Sequence, residues 1–214
     1  MGHSSIGFAA GPLPTFGPIF ARWLHLQQRY LDRCELCDAT WIYNERASLS
    51  VLAASAWGAG GIALEEFSAE KRAASRRGSK ASVNTNAYGR CDLFVSIRNQ
   101  DFLIEAKPSW PSLRSEAKLR ISEALSAAVR DVRRNSAYRG AKRLGAVLIA
   151  PHVPRSDVKN SGALLEAFLQ DLASMEGCAA AWFFPKSTRT FLVTTDGNSY
   201  PGAAILMKPL RRAG

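Results

Sequence analysis

Two short runs, residues 91–97 (Cys-Asp-Leu-Phe-Val-Ser-Ile) and 102–107 (Phe-Leu-Ile-Glu-Ala-Lys), constrain the fold of this chain more than any other feature. Successive side chains of a strand point to opposite faces. Leu93, Val95 and Ile97 therefore share one face of the first run, and Phe102, Ile104 and Ala106 share one face of the second. The six can form a single apolar surface in an antiparallel hairpin across Arg98-Asn99-Gln100-Asp101, whereas a one-residue slip would send half of them to the other side. A turn of two or four residues meets the condition, with Ile97 expected opposite Phe102, Val95 opposite Ile104 and Leu93 opposite Ala106. The other face then carries Asp92 beside Lys107 and Phe94 beside Glu105, so that two acids and a lysine converge. Pro108, which has no N–H, is expected to stop the ladder.

Paired carboxylates on neighbouring strands make a hard oxygen site suited to Mg²⁺ or Mn²⁺, and the Lys107 ammonium lies where it can orient or polarise an attacking water. These groups suit phosphodiester hydrolysis. A surface hairpin with a cross-strand Asp92–Lys107 ion pair, worth about 0.2–1 kcal/mol, has the same spacing. A third acid shifts the balance toward a site. Glu45 falls on the helical stripe of Leu49, Leu52 and Ala56, at offsets of 4, 7 and 11, and so faces inward. A core-facing carboxylate needs a cation, a metal or several donors. The competing reading is a first-turn glutamate favoured by the helix dipole.

Around this hairpin the periodicity predicts helices over 20–37, 40–57, 111–134 and 161–175, and strands over 62–67, 144–150, 179–184, 190–195 and 203–207. Residues 1–18, uncharged and rich in Gly and Pro, read as an irregular arm, with 19–214 as a single domain. With 47% hydrophobic residues among 214, the chain can bury a sizeable core. No apolar run approaches the roughly 20 residues a bilayer crossing needs. The N-terminus has no lysine or arginine before Arg22, which disfavours a secretory leader, and four cysteines are too few for a disulfide scaffold. A soluble, cytoplasmic protein without membrane partners is expected.

The order helix acid Glu45, then Asp92, twelve intervening residues, Glu105-Ala106-Lys107, an amphipathic helix and a buried strand resembles the PD-(D/E)XK, or restriction-endonuclease-like, nuclease superfamily. The match runs from about residue 40 to 150, with Cys91 in place of the family's proline. The resemblance implies an α/β fold: a mixed central sheet flanked by helices with an αβββαβ core, extended here by a C-terminal helix and strands. It implies Asp92 and Glu105 as ligands of Mg²⁺ or Mn²⁺, the carbonyl of Ala106 as a further ligand, Lys107 at the attacking water and Glu45 as accessory acid. The expected activity is that of an endonuclease or exonuclease, on DNA ahead of RNA. The alternative is a catalytically silent basic nucleic-acid-binding or assembly module on the same fold.

Charge supports a phosphate-rich partner: 28 Lys and Arg against 18 Asp and Glu give a net +10. Lys71, Arg72, Arg76, Arg77, Lys80 and Arg90 lie in a stretch without acids and are the expected nucleic-acid contacts. Arg130, Arg133, Arg134, Arg139, Lys142 and Arg143 form a second basic group. A homodimer is compatible with the sequence. One of Glu65 and Glu66 can join the metal site, though a solvated role is the plainer reading. Cys34 and Cys37 have zinc-type spacing, but no second ligand pair follows and packing is favoured. No histidine lies in a nucleophile or paired-histidine motif. Among the tryptophans, Trp110, just past the hairpin, is the one placed to stack on a base.

Overall fold

The computed structural model describes residues 4–72, 86–135, 138, 140–188, 194 and 196–210. Its centre is a seven-stranded, mostly antiparallel sheet flanked by helices, a mixed α/β architecture. Along the chain run β1 (Ile6–Ala9), α1 (Gly17–Arg33), α2 (Glu45–Gly58), β2 (Ile62–Arg72), β3 (Asn86–Ile97), β4 (Gln100–Ser109), α3 (Ala117–Arg134) and β5 (Lys142–Ile149). There follow β6 (Val153–Pro154), α4 (Ser161–Ala173), β7 (Ala179–Phe183), β8 (Asn198–Ser199) and β9 (Ala203–Pro209). The sheet order is β1-β7-β9-β5-β4-β3-β2, and β6 and β8 pair separately. Among the described strands of this sheet, only β4 and β5 pair in parallel. A parallel neighbour requires a crossover, and α3 is that crossover. No helix among the described residues is long and apolar enough to cross a membrane.

Buried apolar clusters cover both faces of the sheet. On one side Phe16, Phe20 and Trp23 of the N-terminal region and Leu49, Leu52 and Ala56 of α2 cover Leu93, Val95, Ile97, Phe102, Ile104 and Ala106. On the other, Ile121 and Leu125 of α3 pack with Leu165, Phe168 and Leu169 of α4 over Val147, Ile149, Ala204 and Leu206. The apolar face expected of the hairpin is therefore the α1/α2 face. Its register differs from the expected one: Leu93 pairs with Ile104, Val95 with Phe102 and Ile97 with Gln100. The turn is the two residues Arg98-Asn99, both left-handed at φ 52° and 58°, the conformation that suits a tight hairpin. The register moves by two residues, an even step, so Leu93 to Ile97 and Phe102 to Ala106 keep their faces, whereas Cys91, past the end of the paired ladder, packs with Phe94, Leu103 and Val132 on the α3 side.

Other boundaries shift for local reasons. The N-terminal segment is not an irregular arm: Ile6–Ala9 pairs with β7 from Ile6↔Phe183 to Ala9↔Ala180. Leu13 and Phe16 are buried in the core, Phe16 standing edge-on to Phe102 at 4.9 Å. Helix α2 begins at Glu45 because Asn44 caps it, its side chain accepting the Ala47 N–H at 3.1 Å, and Thr40–Ile42 is a separate 3₁₀ turn. Helix α3 begins later than Pro111 suggests, because Pro111 and Leu113 are tied to the backbone of His152 at 3.0 and 2.9 Å. The strand expected over 190–195 lies outside the described residues apart from Thr194.

Candidate active site

Beyond the Leu93↔Ile104 pair, β3 and β4 splay apart. The N–H of Ala106 loses its ladder partner there, and an unpaired buried backbone donor is costly. The Asp92 carboxylate takes it, Oδ2 accepting from Ala106 at 2.7 Å. The same splay explains why Pro108 does not end the strand. Its nitrogen points to the same edge as that of Ala106, where the ladder to β3 has already stopped, so β4 runs on to Ser109 paired with β5 alone. The distortion extends into β2. The β2–β3 pairing passes from Glu65↔Leu93 to Phe67↔Cys91, leaving out Glu66, which has φ 46°.

Glu105 and Lys107 point to the α3 side. Glu105 is 2% exposed and accepts a hydrogen bond from Asn135 Nδ2 at 3.3 Å. Lys107 Nζ pairs with Asp131 Oδ2 at 2.8 Å, both side chains about one-third exposed. Burial works to lower the Lys107 pKa, but the Asp131 hydrogen bond and charge outweigh it, helped by Asp92 and Glu45, so the ammonium is held. Cys91, next to Asp92, is fully buried with Phe94, Leu103 and Val132, and its thiol pKa is pushed up to about 12, chiefly by burial. It is a packing residue that stays protonated.

Glu45 reaches the same splay from the α1/α2 side, at the first turn of α2. Its carboxyl pKa is raised by burial first and then by the negative charge of Asp92; Lys107 opposes this, while Glu66 and Glu105 add to it. A folded-state pKa above the ordinary value means that the native state holds this proton more tightly. The stability it contributes is present below the ordinary glutamate range and lost as pH rises through the folded value. Glu45→Gln is therefore expected to match the wild type in melting temperature at acid pH and to equal or exceed it at neutral pH. Thermal melts across that range check this; a strong loss at neutral pH would make Glu45 a structural ion-pair partner.

Among the described residues, no group of three or more His, Cys, Asp or Glu side chains is placed to hold one metal ion. Glu45 is an acid near the site, close enough for the charge of Asp92 to act on it. Asp92, Glu105 and the Ala106 carbonyl remain a hard oxygen set, and one or two carboxylates completed by waters and substrate phosphate are what Mg²⁺ ordinarily takes. The donor chemistry fits Mg²⁺ or Mn²⁺.

The remaining expectations separate. Glu65 accepts a hydrogen bond from Ser50 at 3.0 Å, and Glu66 is bridged by Arg46 at 2.7 Å and Arg90 at 2.9 Å. Arg90 is thus exposed but already paired. Lys71 and Arg72 end β2, whereas Arg76, Arg77 and Lys80 lie outside the described residues. Trp110 is 43% exposed at the rim of a cleft that runs past Pro108 and Glu45 to the buried Trp23 and Trp41. Sequence reasoning missed Asp131 and Asn135. The available signal was periodicity: Asp131 follows the buried Ala128 by three residues and so borders the apolar stripe of α3. Comparison with protein-family models, curated proteins and solved structures found no match.

Proposed function

We propose that the protein is a divalent-metal-dependent nuclease of the restriction-endonuclease-like type, hydrolysing phosphodiester bonds of DNA ahead of RNA. The observation that carries this reading is the convergence of Asp92, Glu105 and Lys107 where β3 and β4 splay, with Glu45 arriving from the opposite layer. Asp92, Glu105 and the Ala106 carbonyl would hold Mg²⁺ or Mn²⁺. When bound, such an ion supplies Lewis-acid stabilisation of the phosphoryl oxygens and a lowered pKa for the attacking water.

The chain's own groups do the rest. The Asp92 carboxylate fixes the spacing of the splayed strands through the Ala106 N–H, and a buried Glu105 is held in one orientation. The Lys107 ammonium, charged and anchored on α3, orients the attacking water and offsets the negative charge that develops on the phosphoryl oxygens. Glu45 supplies a further negative charge near the site and can accept a proton from the water network. The net charge of +10 favours the approach of a polyanion.

The test is purified protein with Mg²⁺ or Mn²⁺ against plasmid, linear duplex, single-stranded DNA and RNA. Metal-dependent cleavage of any of these, abolished by chelation, supports the reading. Salt-sensitive binding to all four without cleavage leaves the silent basic module in its place.

A further inference from the structure

The C-terminal end of α3 and its cap carry an unassigned pair of polar side chains aligned with the two functional positions of β4. Asp131 lies in the last turn of α3 and Asn135, four residues on, is its C-cap, while Glu105 and Lys107 are two strand positions apart. Four helical residues rise ~6 Å and two strand residues ~6.6 Å, so the two ladders match in pitch. As the crossover between parallel strands, α3 runs opposite to β4, and the contacts follow that polarity: Asp131 with Lys107, Asn135 with Glu105. The alignment is reinforced from both ends. Asn135 is 1% exposed, and its carbonyl accepts from Arg143 Nε at 2.7 Å. Val129, in the same turn as Asp131, lies directly against Gly145, the β5 partner of Glu105.

We propose that Asp131 and Asn135 form a two-point clamp that positions the candidate active-site strand, Asp131 fixing the Lys107 ammonium and Asn135 the Glu105 carboxylate. Both are positioning residues, and their effect on turnover rests on the nuclease reading above. A partly exposed lysine has many rotamers, and tethering its end to a carboxylate on a rigid helix selects one of them. The outer partners of ligating and catalytic groups typically govern metal affinity or activity by ~10- to 100-fold.

The experiment uses the full chain and reads position separately from turnover. In metal-free protein, NMR order parameters at Lys107 Cε and Nζ are expected to show a restricted side chain in the wild type and a mobile one in Asp131→Asn, an isosteric change. Unchanged order in that variant overturns the Asp131 half. Titration calorimetry is expected to show Mg²⁺ affinity ~10-fold weaker in Asn135→Ala and near wild type in Asp131→Asn. If Asn135→Ala is poorly folded by thermal melt, Asn135→Ser is read instead, and unchanged affinity in a folded variant overturns the Asn135 half. In steady-state cleavage, Asp131→Asn is expected to lower kcat ~10- to 100-fold with KM unchanged, and Asp131→Glu to recover part of it. A wild type that cleaves while Asp131→Asn turns over normally defeats the clamp and spares the nuclease reading. A wild type that neither cleaves nor binds Mg²⁺ defeats that reading and the Glu105 half of the clamp, while the NMR result still decides the Lys107 half.

Discussion

Asp92→Asn is expected to abolish metal-dependent cleavage and Mg²⁺ binding while leaving the fold intact. The carboxylate has two tasks: it offers a charged oxygen to the metal site, and it accepts the Ala106 N–H that the splayed strand leaves without a ladder partner. Asparagine keeps a carbonyl oxygen for the second task and loses the charge needed for the first. Asp92→Ala removes both, so it should also destabilise by about 1–3 kcal/mol, the cost of a part-buried donor left unpaired. Lys107→Ala gives the complementary pattern, with cleavage down by ~10²- to 10⁴-fold, the usual range for a group that assists proton movement, and Mg²⁺ affinity largely retained. Calorimetry and cleavage measured on the three variants check the assignment. Equal loss of Mg²⁺ affinity in Lys107→Ala would show that the roles are misassigned.

The second large effect is expected at a residue with no side chain. A Cβ on Gly145 would lie 2.7 Å from both the backbone nitrogen and Cγ2 of Val129 and 3.1 Å from the Ala128 carbonyl carbon. Two of these atoms belong to the α3 backbone, which no rotamer change can move aside. Gly145→Ala must therefore push α3 off β5, at about 1–3 kcal/mol for overpacking, or a fall in melting temperature of about 2–4 °C per kcal/mol for a chain of this size. Because Gly145 pairs with Glu105, and Asp131 and Asn135 ride on the displaced helix, cleavage should fall with stability although no site residue is altered. Gly162 of α4 is the control. It has no atom within 4 Å of an added Cβ, and alanine there should be neutral or stabilising by up to about 1 kcal/mol. Thermal melts of the two variants give the comparison.

What could be read from the sequence was whatever a local period encodes. Alternation over 91–97 and 102–107 assigned Leu93, Val95, Phe102, Ile104 and Ala106 to one surface, and the structure buries all five under α1 and α2. The 3.6-residue stripe Ile121, Leu125, Ala128 and Val132 marked α3, and the apolar run from Leu144 marked β5. The stripe through Leu49, Leu52 and Ala56 marked Glu45 as an inward acid, and burial now raises its pKa. Faces survive an even shift of register, so the hairpin surface was legible although its turn length was not: Arg98-Asn99 lacks the glycine that advertises two left-handed residues.

Everything that depends on a distant partner was decided by tertiary structure. Gly and Pro density hid β1, because the reason for Ile6–Ala9 to be a strand is the free edge of β7, more than 160 residues away. Pro108 stays within β4 because β3 has already diverged, a fact with no trace in the residues around it. Asp131 and Asn135 stand among the basic residues at the end of α3. Their meeting with Lys107 and Glu105 follows from the antiparallel run of a crossover helix over a strand of nearly equal pitch, a geometry that exists only once the chain has returned to form β5.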